Sequence, residues 1–382
     1  RKVTDRANPS TVKMFKVKTG KGKAMSITQL HDNWNKKAEQ LWSEHRVTQR
    51  RMMLWMLIGL FQAGNIQLSK IAEEIPSQAK LPSVTRRIER FLDNAHVRVR
   101  EWYRPVIEPV VAYIADRTGE IRLIVDGTKV GNRHQLLMIG IAYRSRAIPL
   151  AWTWVRCRKG HSSTGKQRAL LSYVHDFLPD GVPVLLVGDS EFGHIAILSL
   201  LDQWNWFYVL RQKGSHLVQL DADDDTWIPF RTVIAYPGER RWLPQVRLTQ
   251  KSAYRTNLLA YWAKGESEPW LLATNLHSAQ AARRAYRRRA WIENLFGDLK
   301  GKGFDLESTR LQHFMRLSRL TLLVAVLHLW LTTTGATVIK NGQRNWVDRN
   351  DRRDLSLFQI GLRWIKRRLV NQLSVPIRFR PV

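Results

Sequence analysis

Three acidic residues that lie far apart in the chain are candidates for metal binding: Asp126, Asp189 and Glu293. Residues 121–125 and 182–187 are short apolar runs, so Asp126 and Asp189 are predicted at the carboxyl ends of two buried strands. Glu293 lies in a segment with a helical pattern. If that helix packs across the strand ends, three carboxylates meet and offer the hard oxygen ligands that Mg²⁺ prefers. Two such ions can activate an attacking oxygen and stabilise the leaving one in an in-line displacement.

Each acid also has an ordinary structural explanation. Asp126-Gly127 is a common turn pair, and Asp189 would suit the cap of a following helix. Glu293 would pair with Arg289 four residues earlier on the same helix. The joint placement of the three acids at two strand ends and one helix favours the metal site over these separate explanations.

The segment around Glu293 carries a second pattern, formed by Tyr286, Arg289, Glu293 and Lys300. In one continuous helix, at about 100° per residue, these four side chains fall within about 60° of one another. One stripe would then present a phenol, a guanidinium, a carboxylate and an ammonium, a combination suited to gripping phosphates beside metal ions. The alternative is a solvent-exposed helix laced with ion pairs through its other arginines, Arg283, Arg284, Arg287 and Arg288.

The order of predicted elements after residue 118 favours an α/β fold. A strand, a hairpin, a helix, a strand, a helix, a strand and a late helix follow one another, which is the order of a ribonuclease-H-like fold. In that fold the first strand is central and the fourth lies beside it, so their ends come together. We therefore predict a catalytic core over residues 118–213 and 269–334, interrupted by a β-rich insertion over 214–268.

The segments that flank this core are predicted to be helical. Residues 25–117 contain a short helix, a turn and a helix that exposes basic residues, as in a helix-turn-helix reader of DNA. The basic residues are Arg86, Arg87 and Arg90. Plain packing of a small helical bundle is the alternative. Residues 335–382 are predicted to be a helical C-terminal region, and residues 1–24 a basic arm without fixed structure.

Charge is the strongest signal in the composition. Lys and Arg total 62 against 32 Asp and Glu, a net charge of +30. Because such self-repulsion does not help a fold, a polyanionic partner is expected. The 16 tryptophans suit stacking on unpaired bases beside cationic side chains. The alternative is ordinary core tryptophan with a solubilising basic surface.

Cysteine content and hydropathy exclude several other classes. Cys157 is the only cysteine, which excludes a disulfide framework and a thiolate metal site. The longest apolar stretch, 320–331, is broken by His328 and has the length of a buried core helix. No secretory signal opens the chain. We therefore expect no membrane partner, and the cytoplasm with the bacterial nucleoid as the compartment.

The spacing Tyr286, Arg289, Glu293, Lys300 resembles the Y-(2)-R-(3)-E-(6)-K signature of the insertion-sequence transposases of family four, which are DDE enzymes. Residues 126–128, Asp-Gly-Thr, resemble the first-Asp motif of that family. Residues 189–192, Asp-Ser-Glu-Phe, resemble its second-Asp motif, with serine where the family often has a basic residue. The long gap between the second Asp and the Glu agrees with the family's β-insertion.

This resemblance implies a role for each matched residue. The three acids would bind two Mg²⁺ ions, for which Mn²⁺ can substitute, and Tyr286, Arg289 and Lys300 would grip phosphates of the transposon end. Relatives often cut and paste through a DNA hairpin with a flipped base stacked on a tryptophan, and Trp270 stands in a matching stretch. Trp291 is a lesser candidate for a DNA contact. The implied partners are double-stranded DNA, as terminal inverted repeats and target, and a second copy of the chain in a homodimer.

Three functions are compatible with these features. The leading prediction is a cut-and-paste DNA transposase that cleaves transposon ends and joins their 3′-hydroxyl groups to target DNA. A ribonuclease-H-like nuclease without strand transfer is the second, and the phosphate-gripping signature disfavours it. A catalytically inactive or domesticated DNA-binding protein is the third, and the presence of all three acids disfavours it.

Overall fold

The computed structural model of the protein describes residues 28–131, 133–156, 162–221 and 225–382. The predicted basic arm 1–24 and Cys157 lie outside the described residues. The chain forms two compact units. The first combines the chain up to Val106 with Leu322–Val382, and the second is Ile107–Thr321.

The second unit is built on one mixed sheet. Its strands among the described residues are β1 Ile121–Val130, β2 His134–Tyr143, β3 Arg146–Arg156, β4 Val184–Gly188, β5 Phe207–Arg211, β6 Leu217–Gln219, β7 Ile228–Pro229, β8 Arg240–Leu248, β9 Tyr254–Tyr261 and β10 Trp270–Thr274. They lie in the order β3-β2-β1-β4-β5-β10-β9-β8-β6-β7. β4 is parallel to β1 and to β5, and the other neighbours are antiparallel. The predicted α/β class is confirmed at this level.

The first and fourth strands are neighbours, as the sequence predicts. All five residues of β4 are buried, which explains its continuous apolar run, because strands covered on both faces lack polar alternation. The predicted hairpin between β2 and β3 is also present. Its turn residues Arg144 and Ser145 have φ values of 46° and 60°. Positive φ at both central residues is what a two-residue turn with the twist of the flanking strands requires.

Residues 214–268 are rich in strands, as predicted, and contain β6 to β9. β10 pairs along its whole length with β9, and its last three residues pair with β5. These strands therefore continue the sheet that carries β1 and β4.

Helices occupy both units. Residues 28–41 are helical (α1), followed by α2 Val47–Ala63, α3 Leu68–Glu73, α4 Leu81–Asp93, α5 Val99–Thr118, α6 Thr164–Phe177, α7 Ile195–Gln203, α8 Ala279–Tyr286, α9 Ala290–Leu299, α10 Phe314–Lys340 and α11 Leu357–Val370. In the first unit α4 has the predicted two-sided character. Val84 and Ile88 are buried, whereas Arg86, Arg87 and Arg90 are exposed.

The late helix predicted over residues 278–300 is present, with a tighter turn in its middle and an end at Leu299. α8 ends at Tyr286, a 3₁₀ turn occupies Arg287–Arg289, and α9 ends at Leu299. The backbone stays helical through the turn, with φ and ψ of −53° and −27° at Arg287 and of −52° and −42° at Arg289. Lys300 lies just beyond α9, with φ −91° and ψ −129°. Gly301 and Gly303 follow it, and glycine is a poor continuation of a helix.

α10 is the one helix in the described part of the chain that is long and apolar enough to cross a membrane. Its most apolar window has a mean hydropathy of 1.8, and 89% of that window is buried. Such burial is typical of the core helix of a globular protein, in agreement with the predicted core helix around 320–331.

α10 and α11 cross in the first unit at two glycines. A Cβ on Gly361 would lie 1.9 Å from the carbonyl oxygen of Leu331, and a Cβ on Gly335 would lie 1.9 Å from that of Leu357. Real Cβ atoms do not approach backbone oxygens so closely. The two backbones therefore pack directly against each other only because both positions lack a side chain.

Gly361→Ala should destabilise the protein by about 1–3 kcal/mol or more, since the added methyl group forces two packed helices apart. The matched control is Gly165→Ala in α6, where an added Cβ meets nothing within 4 Å. That exposed helical alanine should be neutral or stabilising by up to about 1 kcal/mol. The measurement is the midpoint of urea denaturation, and equal midpoints for the two variants would contradict the proposed close packing.

Candidate active site

The pairing of β1 with β4 brings two of the predicted acids together. Val125 pairs with Gly188 at the last register position of the two parallel strands. The next residue on each strand is the acid, so Asp126 and Asp189 emerge side by side at the same edge. Gly188 permits this close approach, because a Cβ there would lie 2.7 Å from Cγ1 of Val125.

Asp126 lies inside β1 and not at its end, which corrects the sequence prediction. β1 continues to Val130 because its antiparallel pairing with β2 extends that far, from Asp126↔Met138 to Val130↔His134. Only the parallel pairing with β4 stops before Asp126. Oδ1 of Asp126 accepts a 2.7 Å hydrogen bond from the backbone N–H of Gly127.

Asp189 stands at the start of a short 3₁₀ helix, Ser190–Phe192, but its side chain makes no capping hydrogen bond there. The capping explanation for this acid is therefore wrong. The following helix α7 is capped by His194, whose Nδ1 accepts from the N–H of Ala196. Oδ1 of Asp189 is buried and has no hydrogen-bond partner among the described residues.

Arg289 connects the first acid to the third. Its Nη1 donates to Oδ2 of Asp126 at 3.1 Å, and its Nη2 donates to Oε1 of Glu293 at 2.6 Å. The i, i+4 pair expected as the ordinary explanation for Glu293 is present, but the same guanidinium also holds Asp126. The carboxylate of Glu293 is about half exposed, whereas that of Asp126 is largely buried.

Burial dominates the electrostatics of Asp126. It raises the pKa of the carboxyl from 3.8 to about 6, although Arg289 and the Gly127 N–H act in the opposite direction. The negative charges of Asp189 and Glu293 add to the rise, so the three acids are close enough to influence one another. A buried carboxylate with two acidic neighbours needs more positive charge than one arginine supplies.

Tyr286 faces the same group of acids. Its side chain is buried, and its hydroxyl has no hydrogen-bond partner among the described residues. Burial raises the pKa of the phenol, and the charges of Asp189 and Asp126 raise it further, against the effect of Arg289. The phenol therefore stays protonated and can donate a hydrogen bond to an incoming oxygen.

Lys300 lies apart from the other members of the predicted stripe. Its ammonium donates to the carbonyl oxygen of Lys129 at 2.9 Å and forms a 2.7 Å ion pair with Glu307. Of the predicted stripe, Tyr286, Arg289 and Glu293 lie together beside Asp126, whereas Lys300 follows the end of the helix. Lys300 is instead fixed beside the far end of β1.

A set of polar residues around Glu191, which the sequence did not single out, fixes the loop after Asp189. The Glu191 carboxylate accepts from Nε2 of Gln135 at 2.9 Å and from the backbone N–H of Ser162 at 2.6 Å. Gln135 in turn packs on Gly127, where an added Cβ would lie 2.3 Å from its Nε2. Glu191 thereby links the loop after Asp189 to the residue after Asp126.

The candidate tryptophans take different positions. The ring of Trp270 on β10 lies 5.0 Å from that of Tyr286 at an interplanar angle of 70°. Trp291 is half-buried on α9. Of the two, Trp270 is the one in contact with a residue that faces the acids.

The surroundings of Asp126 and Asp189 favour the binding of a cation. As arranged, no three acidic, histidine or cysteine side chains among the described residues are grouped closely enough to hold one metal ion. The positive charge between Asp126 and Glu293 is the guanidinium of Arg289. The unpartnered Oδ1 of Asp189 and the raised pKa of Asp126 both agree with a donor set made for a further cation.

The family model described as "Transposase DDE domain" matches residues 117–330, more than half of the chain. The chain belongs to this family. The prediction of a DDE-type DNA transposase is thus confirmed, and with it an enzyme of DNA transposition and recombination. DDE transposases act on DNA and generally use divalent metal ions.

Comparison with curated proteins gives no match. One similar solved structure is the cryo-EM structure of the piggyBac transposase synaptic complex with hairpin DNA. The two chains are 10% identical, and the TM-score is 0.42 over 91% of this transposase and 83% of that chain.

The burial of Asp126 predicts a pH-dependent cost to the stability of the transposase. A carboxyl whose folded pKa lies above its unfolded value stabilises the fold while protonated and loses that contribution as the pH rises through the folded pKa. The stability of Asp126→Asn relative to the unmodified protein should therefore increase from about pH 4 to about pH 6 and then level off. The full difference corresponds to roughly 3 kcal/mol at about 1.4 kcal/mol per pKa unit.

Thermal unfolding in the presence of a metal chelator measures this effect. Asp176→Asn, at an exposed carboxylate on α6, is the control and should show little pH-dependent difference from the unmodified protein. A flat difference between Asp126→Asn and the unmodified protein across this range would contradict the burial argument.

The contacts of Glu191 predict a stability cost when its carboxylate is removed. Glu191→Ala should lower the free energy of unfolding by about 1–3 kcal/mol, because it leaves Gln135 and the Ser162 N–H without their acceptor. Glu268→Ala, which removes an exposed ion pair with Arg211, should cost about 1 kcal/mol or less. Denaturant unfolding of both variants makes the comparison, and an equal loss would disprove a special role for Glu191.

Proposed function

We propose that this DDE transposase cuts transposon ends and joins their 3′-hydroxyl groups to target DNA by a cut-and-paste route. Asp126, Asp189 and Glu293 would hold two Mg²⁺ ions. The observation that carries the proposal is the register of β1 and β4, which makes Asp126 and Asp189 neighbours, together with Arg289, which links Asp126 to Glu293.

The protein side of this chemistry follows from the environment of each group. Bound Mg²⁺ ions would supply Lewis acidity at the attacking and leaving oxygens. The acids must be ionised to hold them, so protons would compete with the ions for Asp126, whose burial raises the pKa of its carboxyl in the metal-free site to about 6. The same three carboxylates would serve cleavage by water and joining by a DNA 3′-hydroxyl, because neither reaction needs a covalent enzyme intermediate.

Arg289 would change its partners when metal binds. Its guanidinium now neutralises Asp126 and Glu293, and the incoming cations would take over that function. The freed guanidinium could then pair with a phosphate of the transposon end, for which its planar fork is well shaped. Tyr286 would donate from its protonated phenol beside the same phosphate, and Lys300 would add charge at the far end of β1.

The rest of the chain would position DNA. We propose a ribonuclease-H-like core over 118–213 and 269–334, with the β-rich insertion 214–268. Residues 25–117 would bind DNA through the exposed arginines of α4, and 335–382 would form the helical C-terminal region. Trp270 would stack on a flipped base, and Trp291 would contact DNA. The working form would be a homodimer on paired ends, in the bacterial nucleoid.

The test uses a plasmid that carries the DNA flanking the gene, including its terminal repeats. The purified full chain with Mg²⁺ should cut the plasmid at those ends and join them to a second DNA. Asp126→Ala should keep end binding and lose at least about a hundredfold in both reactions, as expected when a site loses its electrostatic stabilisation. Asp189→Ala and Glu293→Ala should behave alike.

Asp176→Ala on the exposed side of α6 is the matched acidic control and should cut and join normally. Cleavage retained in Asp126→Ala would refute the site assignment. Cleavage without joining in the unmodified protein would favour a nuclease, and end binding without either reaction would favour an inactive DNA-binding protein. When Mn²⁺ replaces Mg²⁺, the unmodified protein should stay active, and the three alanine variants of the acids should stay inactive.

A further inference from the structure

One row of side chains crosses three strands of the sheet beside the candidate active site. Arg240 on β8 pairs with Tyr261 on β9, and Tyr261 pairs with Trp270 on β10. Directly paired residues in antiparallel strands project from the same face of a sheet. The three side chains therefore form one transverse row, about 10 Å long across two inter-strand spacings.

Contacts along the row make it continuous with the candidate active site. The ring of Trp270 lies 5.7 Å from that of Tyr261 and 5.0 Å from that of Tyr286. The guanidinium of Arg283, on α8, lies 5.2 Å from the centre of the Tyr261 ring. Because Tyr286 faces the acids, the row begins at the acids and leads away from them.

A cleft of about 490 Å³ lies at the far end of the row, between β8 and the start of α8. Trp242 lies two residues after Arg240 on β8 and therefore faces the same side. The cleft is lined mainly by Arg240, Trp242, His277, Ser278, Gln280 and Arg283, and no acidic residue takes part. It combines two cations with an indole and polar donors.

Arg240 forms no ion pair with an acidic side chain among the described residues. The neighbouring Arg241 points to the opposite face of β8 and pairs with Glu239 at 2.7 Å. Glu239, the acidic residue next to Arg240 in the sequence, therefore pairs on the other face of β8. The positive charge of Arg240 remains available to a ligand.

We propose that this row and cleft, here called the β8–β10 track, bind a short unpaired stretch of DNA strand that leads away from the cut position. The proposal rests on the proposed transposase function and adds a second DNA subsite to it. Aromatic faces with interleaved cations recognise bases by stacking and phosphates by charge. Duplex DNA exposes its phosphates but buries the faces of its bases. It would therefore contact the arginines and would not stack on the tryptophan and tyrosine rings.

The distribution of side chains along the track suggests how a strand would lie. Trp270 and Tyr261 would stack on bases near the acids, and Arg283 would lie against the phosphate side of Tyr261. Trp242 would take a further base in the cleft, with Arg240 on its phosphate. Stacking is tolerant of base identity because every base has a π face, so the track would accept any sequence.

The experiment measures fluorescence anisotropy of a labelled short oligodeoxythymidine and of a duplex of equal length with the full-length protein. Trp242→Ala should weaken single-strand binding at least about fivefold, the effect of losing one stacked base, and leave duplex binding unchanged. Arg240→Gln should weaken single-strand binding and lower the slope of log K against log salt by about 0.7. Arg241→Gln, one residue away on the opposite face, should do neither.

A second measurement locates the strand directly. Oligodeoxythymidine containing 5-iododeoxyuridine should crosslink to Trp242 or Trp270 in the unmodified protein under light. Each variant is first compared with the unmodified protein by circular dichroism and thermal midpoint. If a variant of Trp242 fails to fold, the crosslink in the unmodified protein decides the matter.

The outcomes separate this proposal from the proposed function. Normal single-strand binding by Trp242→Ala, an equal loss in Arg241→Gln, or crosslinks only outside the track would overturn the track. If cleavage that depends on Asp126 persists in those cases, the proposed active site is supported and the proposed track is refuted. If the track binds single strands but the unmodified protein cuts no DNA, the track is supported and the proposed function is refuted.

Discussion

The parallel pairing of β1 with β4 is the constraint on which the site depends. It ends at Val125 and Gly188, so the next position on each strand is an acid, and the two acids lie side by side just past the end of this pairing. Burial there disfavours the charged form of Asp126 and raises its pKa. The fold therefore places like charges together in a poorly solvated place, which favours the binding of a cation there.

Arg289 is the cation that the protein itself supplies. It reaches Asp126 across the sheet edge while staying bonded to Glu293 on its own helix. The helical winding continues through the 3₁₀ turn at Arg287–Arg289, and Tyr286 is buried beside the acids whereas Glu293 is half exposed. Tyr286, Arg289 and Glu293 therefore approach Asp126 from consecutive turns of one helical segment.

The elements that carry the site could largely be predicted from sequence. Buried parallel strands appear as continuous apolar runs, so β1 and β4 and the adjacency of their acids followed from pattern and strand order. The tighter winding at Arg287–Arg289 could not, because residues 278–300 contain no proline and no glycine before Gly297, and local propensity favours a regular α-helix. Glu191 was missed because its partners, Gln135 and Ser162, lie far away in sequence and only the fold brings them together.

The late helix explains what the spacing of the signature does. Tyr286, Arg289 and Glu293 are three and four residues apart, so one helical segment brings the three side chains together beside Asp126. The winding stays helical through the 3₁₀ turn at Arg287–Arg289 and stops at Leu299. Lys300 follows that end and binds the Lys129 carbonyl, so its ammonium is held by the strand that carries Asp126. The first two gaps therefore keep three side chains on one face of a helix, and the last gap sets where Lys300 meets β1.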